Sequence, residues 1–321
     1  MKTKKDFLLF RQTHLKEQMQ KLEAVRLEWL GYIRRQWLVG VLGIVVFLVL
    51  MINIGKLHDW LAIILIFVFI VLYVYLLAHY TYKLRGLNFR RRFKQQLLAP
   101  TIKFISEDLY YHPLRCVPAR NFVASRIFNQ KITDYSGNDY VEGKIDKTAF
   151  HFSELFVSSH NKNNSLDTND GILFQGLFFI ADFHKDFKGY TLLVPRRRVR
   201  MKGISRFFKN KSKEVILEHP EIRKRFYCTS TDDVTARYIL TPNIQSAISR
   251  FKKNYPRDDV FFSFIHNHVF VAISHGSDLF FPSFKESVFA ETSLMHYFEE
   301  IALVVSLVEE LNLNTRVWTR E

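Results

Sequence analysis

I-L-F-Q-G-L-F-F-I-A-D-F, Ile172 to Phe183, is the stretch on which the fold turns. Aromatic and aliphatic residues dominate it, a turn-forming run precedes it and H-K-D-F-K-G follows, so it reads as a well-buried strand. Working outward, V-E-G-K-I near Val141, A-F-H-F-S-E-L-F-V from Ala149 and Y-T-L-L-V from Tyr190 repeat the signature and predict consecutive antiparallel strands. N-K-N-N-S-L-D-T-N-D, Asn161 to Asp170, is nearly devoid of apolar residues and predicts an exposed hairpin loop. Further on, L-E-H-P-E-I-R-K-R-F and P-N-I-Q-S-A-I-S-R-F predict helices, the second with Pro242 at its start. V-F-F-S-F-I and V-F-V-A-I-S predict a hairpin around Asn267. A last helix from Lys285 to about Leu311 carries the stripe Phe289, Leu294, Phe298, Ile301, Val305, Val308. The sum is an α+β domain over residues 113–321: an antiparallel meander or partly closed sheet, with the outline of a pleckstrin-homology-like barrel, closed by the long C-terminal helix.

Before this domain the chain reads differently. Trp37 to Ile54 and Trp60 to Ala78 are uncharged, apolar runs of a length that matches the hydrocarbon thickness at about 1.5 Å per residue. Joined by only Gly55 to Asp59, they predict a transmembrane helical hairpin over 37–82. Basic flanks on both outer sides predict cytoplasmic N- and C-termini. Leu8, Leu15, Met19, Leu22, Trp29 and Ile33 recur at helical spacing and predict an amphipathic helix over 1–36, whose seam Arg26 interrupts. Leu84, Leu87, Phe93, Leu97 and Phe104 predict a helical stalk over 83–112.

The net charge is +15, from 46 Lys and Arg against 31 Asp and Glu. Lys2 to Arg35 holds nine basic and four acidic residues, and Lys83 to Lys103 seven basic and none acidic, so these flanks supply most of the excess. Cys116 and Cys228 are too few for a disulfide framework. What remains is R-R-R-V-R-M-K-G-I-S-R-F-F-K-N-K-S-K: Arg196, Arg197, Arg198, Arg200, Lys202, Arg206, Lys209, Lys211 and Lys213 with no acid among them. Such a run contacts an anionic surface, of lipid or of a protein partner, or is simply a solvated face. Nucleic acid is not the expected partner.

Other polar candidates have structural readings beside their functional ones. Arg237 and Asp233, with Lys185 and Asp182, could form an anion pocket, since a helix N-terminus and an Arg together hold phosphate. Equally, Asp182 suits a turn, Ser230, Thr231 or Asp232 a helix cap, and Arg237 an internal pair with Asp233. His266 and His268 share a strand parity but have no third ligand near them in sequence, so no metal is assigned. No phosphate-binding loop, dinucleotide fingerprint, nucleophile elbow, H-E-x-x-H or C-x-x-C occurs, and neither a cofactor nor a catalytic residue is assigned.

Y-V-E-G-K-I-D-K-T-A-F-H-F-S-E-L, then F-Q-G-L-F-F-I-A-D-F-H-K-D-F-K-G-Y-T, then S-T-D-D-V-T-A-R-Y-I-L-T-P together resemble a bacterial family known as domain of unknown function 3137, from about Tyr140 to Trp318. The resemblance implies a bacterial inner-membrane protein with a cytoplasmic α+β domain, and brings no activity or ligand. The functional expectation is a membrane-anchored binding or scaffolding module, able to homo-oligomerise. Two alternatives stand beside it: a two-span signalling effector sensing a small anion, and an enzyme built around Asp182, Lys185 and Asp232.

Overall fold

The β-rich runs do form strands, and their alternation sets which side chains each strand buries. The computed structural model describes residues 2–53, 57–159, 171–183, 189–202, 212–276, 279–280, 282, 284 and 286–311. The chain divides into two units, one of residues 3–100 and 282–295, the other of 1–2, 101–281 and 296–321.

The first unit is helical. α1 (Lys4–His14) starts at a capping box in which Thr3 and Asp6 bond each other's backbone amides. α2 (Lys16–Asn53) and α3 (Leu57–Phe93) pack together, and a π-helical turn, Lys94–Leu98, leads into α4 (Ala99–Ile105). Of the expected seam Leu15, Met19, Leu22 and Trp29 are buried and Leu8 and Ile33 half-buried; of the expected stalk stripe Phe93 and Leu97 are buried and Leu87 is exposed, while Phe89 is buried beside them. Arg26, the interruption, is buried too. Its guanidinium donates to Glu23 at 2.9 and 2.7 Å and to the Phe284 carbonyl at 3.1 Å. Glu23 also accepts from the Val288 amide at 2.9 Å, and Arg26 holds its carboxyl down to about 2. The Phe284 ring lies 4.5 Å from that of Trp29 and 4.8 Å from that of Phe89, so 284–288 is strapped onto the helix pair by both polar and aromatic contacts.

The transmembrane expectation is corrected here. Among the described residues no helix is long and apolar enough to cross a membrane, so the hairpin with spans at 37–54 and 60–78, the multi-pass inner-membrane placement and the membrane anchor are not supported. The helices themselves exist, but α2 continues a polar N-terminal half, and α3 ends in Arg90, Arg91 and Arg92. Gly55 and Lys56 of the expected turn lie outside the described residues. Exposed apolar side chains on these helices include Trp37, Leu42, Val49 and Leu72.

The second unit is built on the sheet. Its elements are β1 (Tyr110–His112), α5 (Ala119–Ala124), β2 (Asp134–Ile145), β3 (Thr148–Ser158), β4 (Ile172–Asp182), β5 (Tyr190–Pro195), α6 (Arg196–Lys202), β6 (Lys213–Glu214), α7 (Pro220–Arg225), β7 (Phe226–Ser230), α8 (Asp233–Ile239), α9 (Pro242–Asn254), β8 (Asp259–Ile265), β9 (His268–Ser274) and α10 (Glu291–Glu310), the last continuing from the helical unit. Among the described residues nine strands pair antiparallel in the order β1-β2-β3-β4-β9-β8-β5-β7-β6. The meander is thus interrupted: the β8–β9 hairpin inserts between β4 and β5. The sheet is open, not barrel-like, because β1 and β6 are its two edges. Both are very short, which limits the unpaired backbone offered for strand addition.

One face carries Leu155, Val157, Phe178, Ile180, Leu192 and Phe270, packed under Phe122 of α5, Val117 and Ile127. Two buried hydroxyls fix this cover: Ser153 accepts from the Val117 amide at 2.9 Å and Ser263 donates to the Ser125 carbonyl at 2.5 Å. The opposite face meets α9 through the Phe251 and Phe262 rings, 6.2 Å apart. At Gly176 φ is +146°, and a Cβ there would stand 2.1 Å from the Ile273 carbonyl oxygen. Only glycine lets β4 approach β9 so closely.

Candidate functional site

The basic segment begins where β5 ends. α6 follows β5 directly, and its first three arginines point at acceptors inside the domain rather than at solvent alone. Arg198 Nε and Arg197 Nη2 both bind the buried Asp259 carboxylate, the latter at 3.0 Å. Arg196 donates to the Arg223 carbonyl at 2.7 Å, stands 3.8 Å from Glu214 and lies over the Tyr227 ring at 5.7 Å. Buried Lys252 donates to the Asp258 carbonyl at 3.1 Å beside this cluster, and burial pushes its ammonium below the usual lysine range. Arg196, Arg197 and Arg198 therefore anchor the segment. Lys213 lies in β6, opposite Ser230. Arg200 and Lys202 belong to α6, while Arg206, Lys209 and Lys211 lie outside the described residues.

The residues expected to share an anion pocket are not brought together. Arg237 donates to Asp233 at 3.1 Å and stands 4.0 Å from Glu218, so its charge is compensated on both sides. Asp232 caps α8 by accepting from the Val234 and Thr235 amides, and the Thr235 hydroxyl first, then these amides, hold its carboxyl below the usual range. Asp182 ends β4, and β9, β8 and β5 separate β4 from β7, the strand that leads into α8. Four strand spacings of ~4.8 Å put roughly 19 Å of sheet between them. Lys185 lies outside the described residues.

Asp182 has a different partnership. It pairs in register with His268, whose Nε2 stands 3.5 Å from its carboxylate. His151 of β3 lies opposite Ile180, two residues from Asp182 and on the same face, and opposite Glu142 of β2 on its other side. Glu142 stands 3.5 Å from His112 of β1 and accepts from the Tyr140 hydroxyl at 3.0 Å. The Tyr140 ring is 5.7 Å from that of His151 and 6.1 Å from that of His112. A row of three imidazoles, two carboxylates and a phenol thus crosses five strands on the α5 face. Desolvation pushes His151 below its ordinary 6.5, with His268 adding to the shift and Glu142 and Asp182 opposing it. Burial, then the bond to Glu142, raises Tyr140 to about 12, so it stays a donor throughout the physiological range.

Asp182 and His268 were visible as candidates in sequence; His112, Glu142 and His151 were missed. They come from strands far apart in the chain, and only strand parity plus the ladder register collects them. His266, the other half of H-N-H, sits in the turn at φ +54°. Among the described residues no group of three or more His, Cys, Asp or Glu is placed to hold a metal ion.

An open antiparallel sheet with helices packed on both faces defines an α+β protein. Residues 172–313 match the family described as "Protein of unknown function (DUF3137)". The match runs from β4 through α10. No curated protein matches the chain. Among solved structures, the chain is similar to the crystal structure of the mycobacterial trehalose monomycolate transport factor A, TtfA, at 11% identity and a TM-score of 0.32, over 66% of this chain and 95% of that one. A likeness that low bears on neither the fold nor the activity of this chain.

Proposed function

We propose that the chain is a non-enzymatic binding module whose contact surface is the basic segment starting in α6 and whose partner is an acidic protein surface. The observation that carries this reading is the anchoring of the segment: Arg197 and Arg198 clamp its first turn to buried Asp259. Arg200, Lys202, Arg206, Lys209, Lys211 and Lys213 then follow with no acid among them. A solvated run with no partner needs no such clamp, whereas a contact surface gains from a fixed origin, because less ordering entropy is lost on binding.

Fluorescence anisotropy of labelled polyglutamate against the full chain, at low and at physiological salt, tests the reading. Binding should weaken steeply with salt, and reversing Arg200, Lys202, Arg206, Lys209 and Lys211 to Glu should reduce it by more than about tenfold, several screened contacts being lost together. Equal binding by the reversed variant sinks the proposal. So does a clear preference for phosphatidylglycerol vesicles or for DNA over polyglutamate, since the partner would then not be protein.

A further inference from the structure

The row on the α5 face lies apart from the basic segment and serves no purpose in the function just proposed. Its composition is unusual for a sheet surface. Each outer imidazole, His112 and His268, already stands within 3.5 Å of a carboxylate, while His151 lies between the two pairs with no carboxylate oxygen bonded to it. Every element packed beside β3 contributes: Glu142 and Tyr140 from β2, Asp182 from β4, and His268 beyond it from β9. His112 reaches the group through Glu142.

We infer that this row is a proton-operated switch: His112 and His268 already stand against Glu142 and Asp182, so a proton gained by His151 between them opens the surrounding ladder. Imidazoles as a class gain their proton between pH 8 and 5. His151 is the least accessible of the three rings, and its nearest carboxylates each stand against another imidazole. A half-buried cation without its own partner is unfavourable enough to be relieved by local opening, which lets more water reach it. The ladder ends that hold His151, residues 148–152 of β3 and 178–182 of β4, are where that opening falls.

Hydrogen exchange on the full chain tests this. Amide rates at pH 7.5 and 5.5, corrected for the intrinsic pH dependence, are compared between residues 148–152 and 178–182 and the control ladder 192–194 of β5. In the natural chain the first two groups should open about tenfold more readily at pH 5.5, and the control should not change, one proton-linked unit corresponding to that factor. His151→Gln should abolish the difference by keeping the position neutral. If that variant fails to fold, His151→Phe beside Tyr140 serves the same purpose. Equal protection at the two pH values in the natural chain, or pH-dependent opening that persists in whichever of these variants folds, overturns the inference.

Discussion

At the scale of single residues, the charges that matter most are those the sequence presents as interruptions or excess. Arg26 reads as a flaw in an apolar seam, yet it and Glu23 form a nearly buried pair that also secures the backbone at 284 and 288. Nothing in the local sequence could reveal this, because the partners lie more than 250 positions away. Glu23 has a folded-state value of about 2 against an ordinary 4.5, so its ionised form is favoured by folding. Its contribution is therefore complete above pH 4.5 and is lost as pH falls through the interval from 4.5 to 2. Glu23→Gln should lower stability at pH 7 by about 1–3 kcal/mol, the cost of leaving Arg26 and the Val288 amide poorly satisfied. The gap from the natural chain should close towards pH 2, as measured by urea unfolding followed by helical circular dichroism. The arginines of α6 invite a second comparison. Both bind Asp259, but the Arg197 side chain is 62% exposed and that of Arg198 26%. Arg197→Ala should cost under about 1 kcal/mol, as exposed pairs do. Arg198→Ala should cost more than Arg197→Ala, and Asp259→Ala more than either, because it strands both cations beside Lys252. Urea midpoints of the three variants give the order.

At the scale of elements, period and punctuation in the sequence carried far. Strands β2 to β5, the β8–β9 hairpin, α7, and α9 starting at Pro242 after the Thr241 cap all fall where alternation, turn residues and caps place them. Asp232 does cap α8, one of three candidates that composition alone leaves equivalent. Other readings failed where the deciding interaction is non-local. The polar row was only half legible, since Glu142 and His151 become neighbours solely through the β2–β3 register. Gly176 shows the same limit from the opposite side. In sequence it looks like a weak point in a strong strand, whereas its φ of +146° and the 2.1 Å approach of the Ile273 oxygen make it the position where β9 docks on β4. Gly176→Ala should destabilise the sheet by at least ~1–3 kcal/mol from backbone strain alone. The loss should be larger than for a Gly→Ala change at Gly171, where nothing lies within 4 Å. Thermal melts of the two variants check it.

At the scale of the whole molecule, the consequential feature is the order β4-β9-β8-β5, which sequence order cannot show. A meander would leave the early strands as a self-contained layer; instead β4 and β5, neighbours in the chain, are held apart by a hairpin contributed some seventy positions later. The sheet therefore cannot be completed until residues 259–274 are present. The family match has a corresponding consequence. It begins at residue 172, the first residue of β4, and so leaves out β1, β2 and β3. In the chain, β4 pairs along nearly its whole length with β3, from Ile172 opposite Ser158 to Ala181 opposite Phe150, and Phe122 of α5 covers Phe178. Cutting at 172 exposes a long apolar strand edge and uncovers one core face, the combination that drives edge-to-edge association. A fragment of residues 172–313 should accordingly elute from a sizing column as soluble aggregate or precipitate, while the full chain does not. Supplying residues 101–171 as a separate polypeptide during refolding should restore part of the dispersed species, because the missing interactions are a ladder and an apolar cover that need no covalent link. A monodisperse, cooperatively melting 172–313 fragment would show instead that the matched segment is an autonomous domain and that β1–β3 are an accessory layer added to it.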